Sequence, residues 1–96
     1  MSSINDPTDQ SAPRGLTGWQ ALTPARHRAR LSMTELYFRY VGLGGSAPSS
    51  LLSRHFTTGI ALAAGEHDLA VLALNERFME LSAPERLPYE GWARAR

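Results

Sequence analysis

The chain of 96 residues contains no cysteine, and this absence limits how it can fold. Disulfide bonds and thiolate-bound metals stabilise many domains of this size, and neither is available here. The fold must therefore rest on an apolar core, and the 43% share of hydrophobic residues is ordinary for one globular domain. The lack of disulfides also favours a reducing compartment, so we expect a cytoplasmic protein.

The two ends of the chain differ in composition from its middle. Residues 1–14 are rich in Ser, Pro, Asp and Thr and predict a disordered N-terminal arm. Residues 15–92 predict a single helical domain, and residues 93–96 a flexible end. The first ten residues are polar and acidic, unlike a signal peptide. The longest apolar run, Gly59–Gly65, is too short to cross a bilayer, so no membrane association is expected.

The clearest predicted helix begins after Ser32. Ser32 and Glu35 have the S-x-x-E spacing of a capping box, which satisfies free backbone N–H groups at a helix start. Glycines at 42, 44 and 45 predict its end, because glycine adopts the left-handed conformation without strain. Apolar residues at helical spacing predict one buried face, made of Met33, Leu36, Tyr37, Tyr40 and Val41.

Two more helices are predicted further along the chain. The second starts at Pro48, with Ser46 or Ala47 as its cap, and stops near Gly59. The third runs from Glu66 to Leu81, and Pro84 prevents its continuation. Their predicted inner faces are Leu51, Leu52, His55 and Phe56 in the second helix, and His67, Val71, Leu74, Phe78 and Leu81 in the third.

These elements predict an all-α fold, a small three-helix orthogonal array. The segment Pro84–Trp92 combines prolines with apolar side chains and predicts an extended C-terminal tail held against the core. Thr23 and Pro24 resemble a helix start, but Ala25–Arg30 offers only alanines for burial. A helix there would need another source of stability, and it is not counted in the array.

No arrangement of residues in the sequence predicts catalysis. The histidines His27, His55 and His67 lack the i, i+4 spacing of helical metal ligands, and no nucleophile has a partnering base. The glycine run at 42–45 follows a helix and lacks the Lys-Ser/Thr ending of a phosphate-binding loop. We therefore expect no enzyme activity, no metal, no cofactor and no small-molecule substrate.

Two polar residues fall on predicted buried faces. His55 is expected at the rim of the core, with one ring nitrogen hydrogen-bonded. Asn75 lies within the apolar arc of the third helix, where an unpaired amide is costly. We expect its side chain to bond backbone groups in the Gly42–Gly45 or Ile60–Gly65 connection. The alternative is a residue that sets the register of a helix–helix interface.

Several side chains outside the main faces suggest a surface for another protein. Phe38 projects away from the buried face of the first helix, beside Thr34. Leu72 and Met79 widen the apolar face of the third helix. The sequence therefore predicts a non-enzymatic regulatory or protein-interaction domain, acting through a protein partner or self-association, with Phe38, Thr34, Leu72 and Met79 in the interface.

The alternative function is DNA binding by a helix-turn-helix unit. The first two predicted helices are joined by a glycine-containing turn, as in that motif. The outer face of the second helix carries side chains that can bond phosphates or base edges: Ser49, Ser50, Ser53 and Arg54. Arginines that precede the helices would contact the DNA backbone: Arg26, Arg28 and Arg30. The second helix carries only one arginine and its linker is longer than the usual turn, and both points count against this alternative.

Two segments, Glu35–Gly45 (ELYFRYVGLGG) and Glu66–Glu76 (EHDLAVLALNE), resemble two blocks of small uncharacterised helical proteins of actinobacteria. From the start of the first segment to the end of the second, the resemblance spans about half of the chain. It implies a bacterial cytoplasmic setting and no particular functional residue.

Overall fold

A computed structural model describes residues 18–91 of the protein. A short 3-10 turn, Gly18–Ala21, leads directly into the first helix, and the described residues contain no strand. The helices are α1 (Leu22–Arg28), α2 (Met33–Gly42), α3 (Ser49–Thr58) and α4 (Glu66–Glu80). The all-α prediction is confirmed for this part of the chain. The predicted arm, residues 1–14, and the predicted flexible end, residues 93–96, lie outside it.

The prediction of three helices is wrong, because Leu22–Arg28 forms a fourth. Leu22, Ala25 and Ala29 are fully buried, so small side chains let this short helix approach α3 and α4 closely. Its end is held by Arg77, whose Nε donates to the carbonyl of Ala29 at 3.0 Å. The helix also starts before the predicted cap: Thr23 lies inside it and donates to the carbonyl of Phe56.

Helix α2 begins as predicted. The backbone N–H of Glu35 donates to Ser32 Oγ at 3.0 Å, and the N–H of Ser32 donates to Glu35 Oε1 at 2.8 Å. The end of the helix depends on Gly45, where a Cβ atom would overlap the ring of Tyr40. The Tyr40 hydroxyl in turn bonds the Glu66 carboxylate and accepts from the N–H of Ala47. Tyr40 therefore joins the end of α2 to the start of α4.

Helix α3 begins one residue later than predicted, at Ser49, with Pro48 as its N-cap. It ends at Gly59, which adopts a positive φ of 76° and packs against Trp19 so closely that a Cβ would overlap the indole. This contact joins the end of α3 to the 3-10 turn that precedes α1.

The core lies between the helices, where α2 packs on α3 and α4 and α1 packs on the same two helices. Its largest fully buried side chains are Tyr40, Phe78, Leu22, Leu36, Leu52, Leu74 and Val71. Two predicted inward-facing residues are exposed: Val41 (44%) and Leu81 (39%). Val41 is exposed because the buried arc of α2 is centred on Leu36 and Tyr40, and Leu81 follows the last helical residue of α4.

Residues 81–91, called the C-terminal segment below, contain no helix or strand and lie against α4. Asn75 Nδ2 donates to the carbonyl of Leu87 at 3.0 Å, and the N–H of Leu87 donates to Asn75 Oδ1 at 2.8 Å. Asn75 thus bonds backbone groups, but those of this segment and not of the two predicted connections. Asp68 accepts from the N–H groups of Glu90 and Gly91. None of the described helices is long and apolar enough to span a membrane.

Candidate functional site

A groove of about 450 Å³ lies between α2 and α3 and is open to solvent. It is called the α2–α3 groove below, and it is lined by Met33, Thr34, Tyr37, Phe38, Ser49, Ser50 and Ser53. Helix α2 supplies all of its apolar side chains, and α3 supplies a row of hydroxyl groups. The lining contains no charged side chain.

Phe38 is the most exposed of these apolar side chains, with 70% of its surface in contact with solvent. It is exposed because Leu36 and Tyr40, its neighbours along α2, occupy the buried arc of the helix. Tyr37 is half-buried, and its hydroxyl donates to the carbonyl of Ala47 at 3.1 Å, which fixes the ring beneath the groove. Val41 follows Phe38 by three residues and so extends the apolar surface along α2.

The wall from α3 is polar because the opposite face of this helix is buried. Leu52 and Phe56 point into the core, which places the serines at 49, 50 and 53 toward the groove. Pro48 provides no side-chain cap, and the first turn of α3 contains no acidic residue. Neither the cap nor the first turn of α3 therefore neutralises the positive end of the helix dipole at this end of the groove.

The predicted partner-binding residues are divided between two places. Thr34 and Phe38 lie together in the α2–α3 groove. Leu72 and Met79 lie on α4 and do not line it; Leu72 is half-buried, whereas Met79 is 59% exposed.

The predicted DNA-binding residues are also divided. Ser49, Ser50 and Ser53 line the same groove as Phe38, so both functional hypotheses lead to one surface. Arg54 is exposed on α3 beside this row, four residues after Ser50. The side chains of Arg30 and Arg54 make no hydrogen bond or ion pair within the described part of the chain.

The other two arginines of that hypothesis already have partners within the protein. Arg28 forms an ion pair with Glu85, with its Nε 2.8 Å and 3.0 Å from the two carboxylate oxygens. Arg26 Nη1 donates to the carbonyl of Leu31 at 2.8 Å. Both arginines therefore hold chain segments together at the surface of α1.

A second polar site, buried at the opposite end of α3, was not predicted. His55 Nε2 and His67 Nδ1 are 2.9 Å apart, and both side chains are buried. His55 Nδ1 is 2.7 Å from the carbonyl oxygen of Ile60, and His67 Nε2 is 3.6 Å from Glu90 Oε2. The sequence places both histidines on inner faces, but only tertiary packing brings α3 and the start of α4 together.

Burial keeps the pKa of His67 below its usual value, and the neighbouring His55 lowers this pKa further. The negative charges of Glu90 and Asp68 act in the opposite direction and offset part of the decrease. His67 is therefore neutral near pH 7.

The described residues contain no cluster of three His, Cys, Asp or Glu side chains that could hold a metal ion. Comparison of the chain with protein-family models, with curated proteins and with solved structures gives no match.

Proposed function

We propose that this protein is a non-enzymatic interaction domain, and that its α2–α3 groove binds an apolar segment of a partner protein. The observation that carries the proposal is the 70% exposure of Phe38 at the rim of a groove that already contains apolar side chains. Burial of a phenylalanine side chain contributes about 1.5–3 kcal/mol, so a partner that covers Phe38 gains much of the energy of a small interface.

The two walls of the groove favour an amphipathic occupant. Met33, Tyr37 and Phe38 offer an apolar surface, while the serines of α3 can donate to and accept from polar groups beside it. An apolar side chain inserted against α2, with polar groups facing α3, would leave no buried group without a partner.

The charges around the groove favour an acidic residue in the partner. The groove lining is uncharged, and Arg54, exposed at its edge, has no ion pair among the described residues. The uncapped start of α3 adds partial positive charge at the same wall. We therefore propose a partner segment that carries apolar side chains flanked by at least one carboxylate.

DNA binding through α3 is the second candidate, and one observation favours it: Ser49, Ser50, Ser53 and Arg54 are accessible on one side of the helix. It ranks lower because Arg26 and Arg28 are engaged within the protein. A DNA backbone contact by these residues would first break an existing hydrogen bond or ion pair.

The test uses a phage-displayed library of random linear peptides, selected on the full chain and counter-selected on Phe38→Ala. We expect enriched peptides with apolar residues and a carboxylate, whose binding perturbs the NMR amide signals of Thr34, Phe38, Ser50 and Ser53. Met79→Ala is the matched control, because Met79 is a comparably exposed apolar residue outside the groove. Arg54→Ala should weaken acidic peptides more than their amide analogues.

Three results would overturn the proposal. The first is the absence of any peptide that distinguishes wild type from Phe38→Ala. The second is a dimer, detected by sedimentation, that Phe38→Ala dissociates, since a second copy would then occupy the groove. The third is sequence-specific binding of a DNA duplex that persists at physiological salt and is lost in Arg54→Ala, which would favour the DNA-binding alternative.

A further inference from the structure

The buried histidine pair belongs to a continuous chain of polar groups that connects α3 to the C-terminal segment. The chain runs from the carbonyl of Ile60 through His55 and His67 to the carboxylate of Glu90. Every element around it contributes to the packing: α3 and its following turn, the start of α4, the C-terminal segment, and Gly18 of the 3-10 turn, where a Cβ would contact the Glu90 carboxylate.

The carbonyl of Ile60 determines where the protons lie in this chain. A carbonyl oxygen only accepts, so Nδ1 of His55 carries the proton and donates to it. In a neutral ring the other nitrogen is then an acceptor, so His55 Nε2 receives a hydrogen bond from Nδ1–H of His67. Nε2 of His67 is left without a proton.

As a result, two hydrogen-bond acceptors face each other at the end of this chain of polar groups. The bare Nε2 of neutral His67 lies 3.6 Å from the carboxylate Oε2 of Glu90, too far for a hydrogen bond and without a proton to share. One added proton at Nε2 would turn this contact into a charge-assisted hydrogen bond. A further proton on His55 Nε2 would set two N–H donors against each other, so the hydrogen-bonded pair has room for one added proton.

We propose that the His55–His67 pair is a single-proton latch, in which protonation of His67 Nε2 creates the donor that fastens Glu90, and with it the C-terminal segment, to α4. At neutral pH the segment near Glu90 is held by the backbone bonds to Asp68 but not by the Glu90 side chain. As the pH falls, the latch closes.

Three ionisable groups face His67 and determine when this happens. The Coulombic effect of His55, on α3, opposes the proton on His67, whereas the negative charges of Glu90 on the C-terminal segment and Asp68 on α4 favour it. The facing residue of the 3-10 turn is a glycine and does not titrate. Because burial opposes the charge, the latch closes below the usual pKa of histidine.

The experiment is an NMR titration of the full chain, labelled with ¹⁵N, from about pH 8 to about pH 5, the range in which histidines change charge. Imidazole nitrogen shifts report which ring nitrogen carries the proton, and the heteronuclear NOE of the Glu90 and Gly91 amides reports how firmly the segment is held. We expect His67 to be protonated at Nδ1 alone at neutral pH. The heteronuclear NOE should then rise as His67 gains its second proton.

Glu90→Gln removes the carboxylate, and the control Glu85→Gln removes another one from the same segment. Glu90→Gln should lower the pKa of His67 and abolish the rise of the NOE, whereas Glu85→Gln should leave both unchanged. A neutral His67 protonated at Nε2 would overturn the proposal, because the latch would then be closed already. An unchanged pKa in Glu90→Gln, or an NOE that does not follow the titration in wild type, would also overturn it.

Discussion

Asn75 makes two hydrogen bonds with the backbone of Leu87, one as donor and one as acceptor, and thereby holds the C-terminal segment against α4. Both side-chain atoms are buried, so their partners are protected from water. The amide of asparagine matches a peptide group in both donor and acceptor, which explains why this residue interrupts an otherwise apolar arc.

Asn75→Ala should leave both backbone groups of Leu87 without a partner. Each unsatisfied buried group costs about 1–3 kcal/mol, so we expect a clear loss in the free energy of unfolding measured with urea. Amide exchange of Leu87 should become faster at the same time. Glu76→Ala is the control, because Glu76 makes no hydrogen bond among the described residues and the change should cost less than about 0.5 kcal/mol. An Asn75→Ala chain as stable as wild type would show that the segment is held by other contacts.

Two glycines near the end of α2 should respond to alanine in opposite directions. At Gly45 a methyl group would overlap the ring of Tyr40, which is fully buried and cannot move aside. At Gly42 there is open space and helical backbone, so alanine should stabilise the protein by up to about 1 kcal/mol through a smaller loss of chain entropy. Thermal unfolding of both variants checks this, and a stable Gly45→Ala would contradict the packing of Tyr40.

The sequence predicted those parts of the fold that local chemistry determines. The capping box at Ser32 and the glycines after α2 act within a few residues, so their pattern is visible without any tertiary information. Helix α1 was missed because its stability comes from elsewhere: its buried alanines give no amphipathic pattern, and the side chain that holds its end, Arg77, lies on α4.

The candidate site also has parts that the sequence predicts and parts that only tertiary packing determines. The exposure of Phe38 could be predicted from its position on the surface of α2. The outward position of the α3 serines could be predicted because the opposite face of that helix is apolar. That these side chains line one groove depends on how α2 packs beside α3, which no spacing in the sequence encodes. The contact between His55 and His67 depends on tertiary packing for the same reason.

The three phenylalanines of the chain should differ sharply in the free energy of unfolding that is lost when each is replaced by alanine. Phe56 and Phe78 are buried in the core, so either replacement should cost about 3–5 kcal/mol, which approaches the whole stability of a small domain. Phe38→Ala should change the free energy of unfolding by less than about 0.5 kcal/mol, because the side chain is 70% exposed. Urea unfolding of the three variants measures these losses. A large loss for Phe38 would mean that it is covered within the protein, and would remove the basis of the groove proposal.

The stability of the protein should decrease as the pH falls below the usual pKa of histidine, about 6.5. The pKa of His67 is lowered in the folded state, mainly by burial, so between these two values the unfolded chain binds more protons and acid favours unfolding. The contribution of neutral His67 to the free energy of unfolding is fully present above the pKa of the unfolded chain. It is lost as the pH falls toward the pKa of the folded chain, with a slope of at most about 1.4 kcal/mol per pH unit for one proton.

Urea unfolding at a series of pH values should show this decrease in wild type and a shallower one in His67→Gln. Glu90→Gln should show a steeper decrease, because the carboxylate that offsets part of the cost is gone. Equal slopes in wild type and His67→Gln would mean that His67 binds its proton equally well in the folded and unfolded chain.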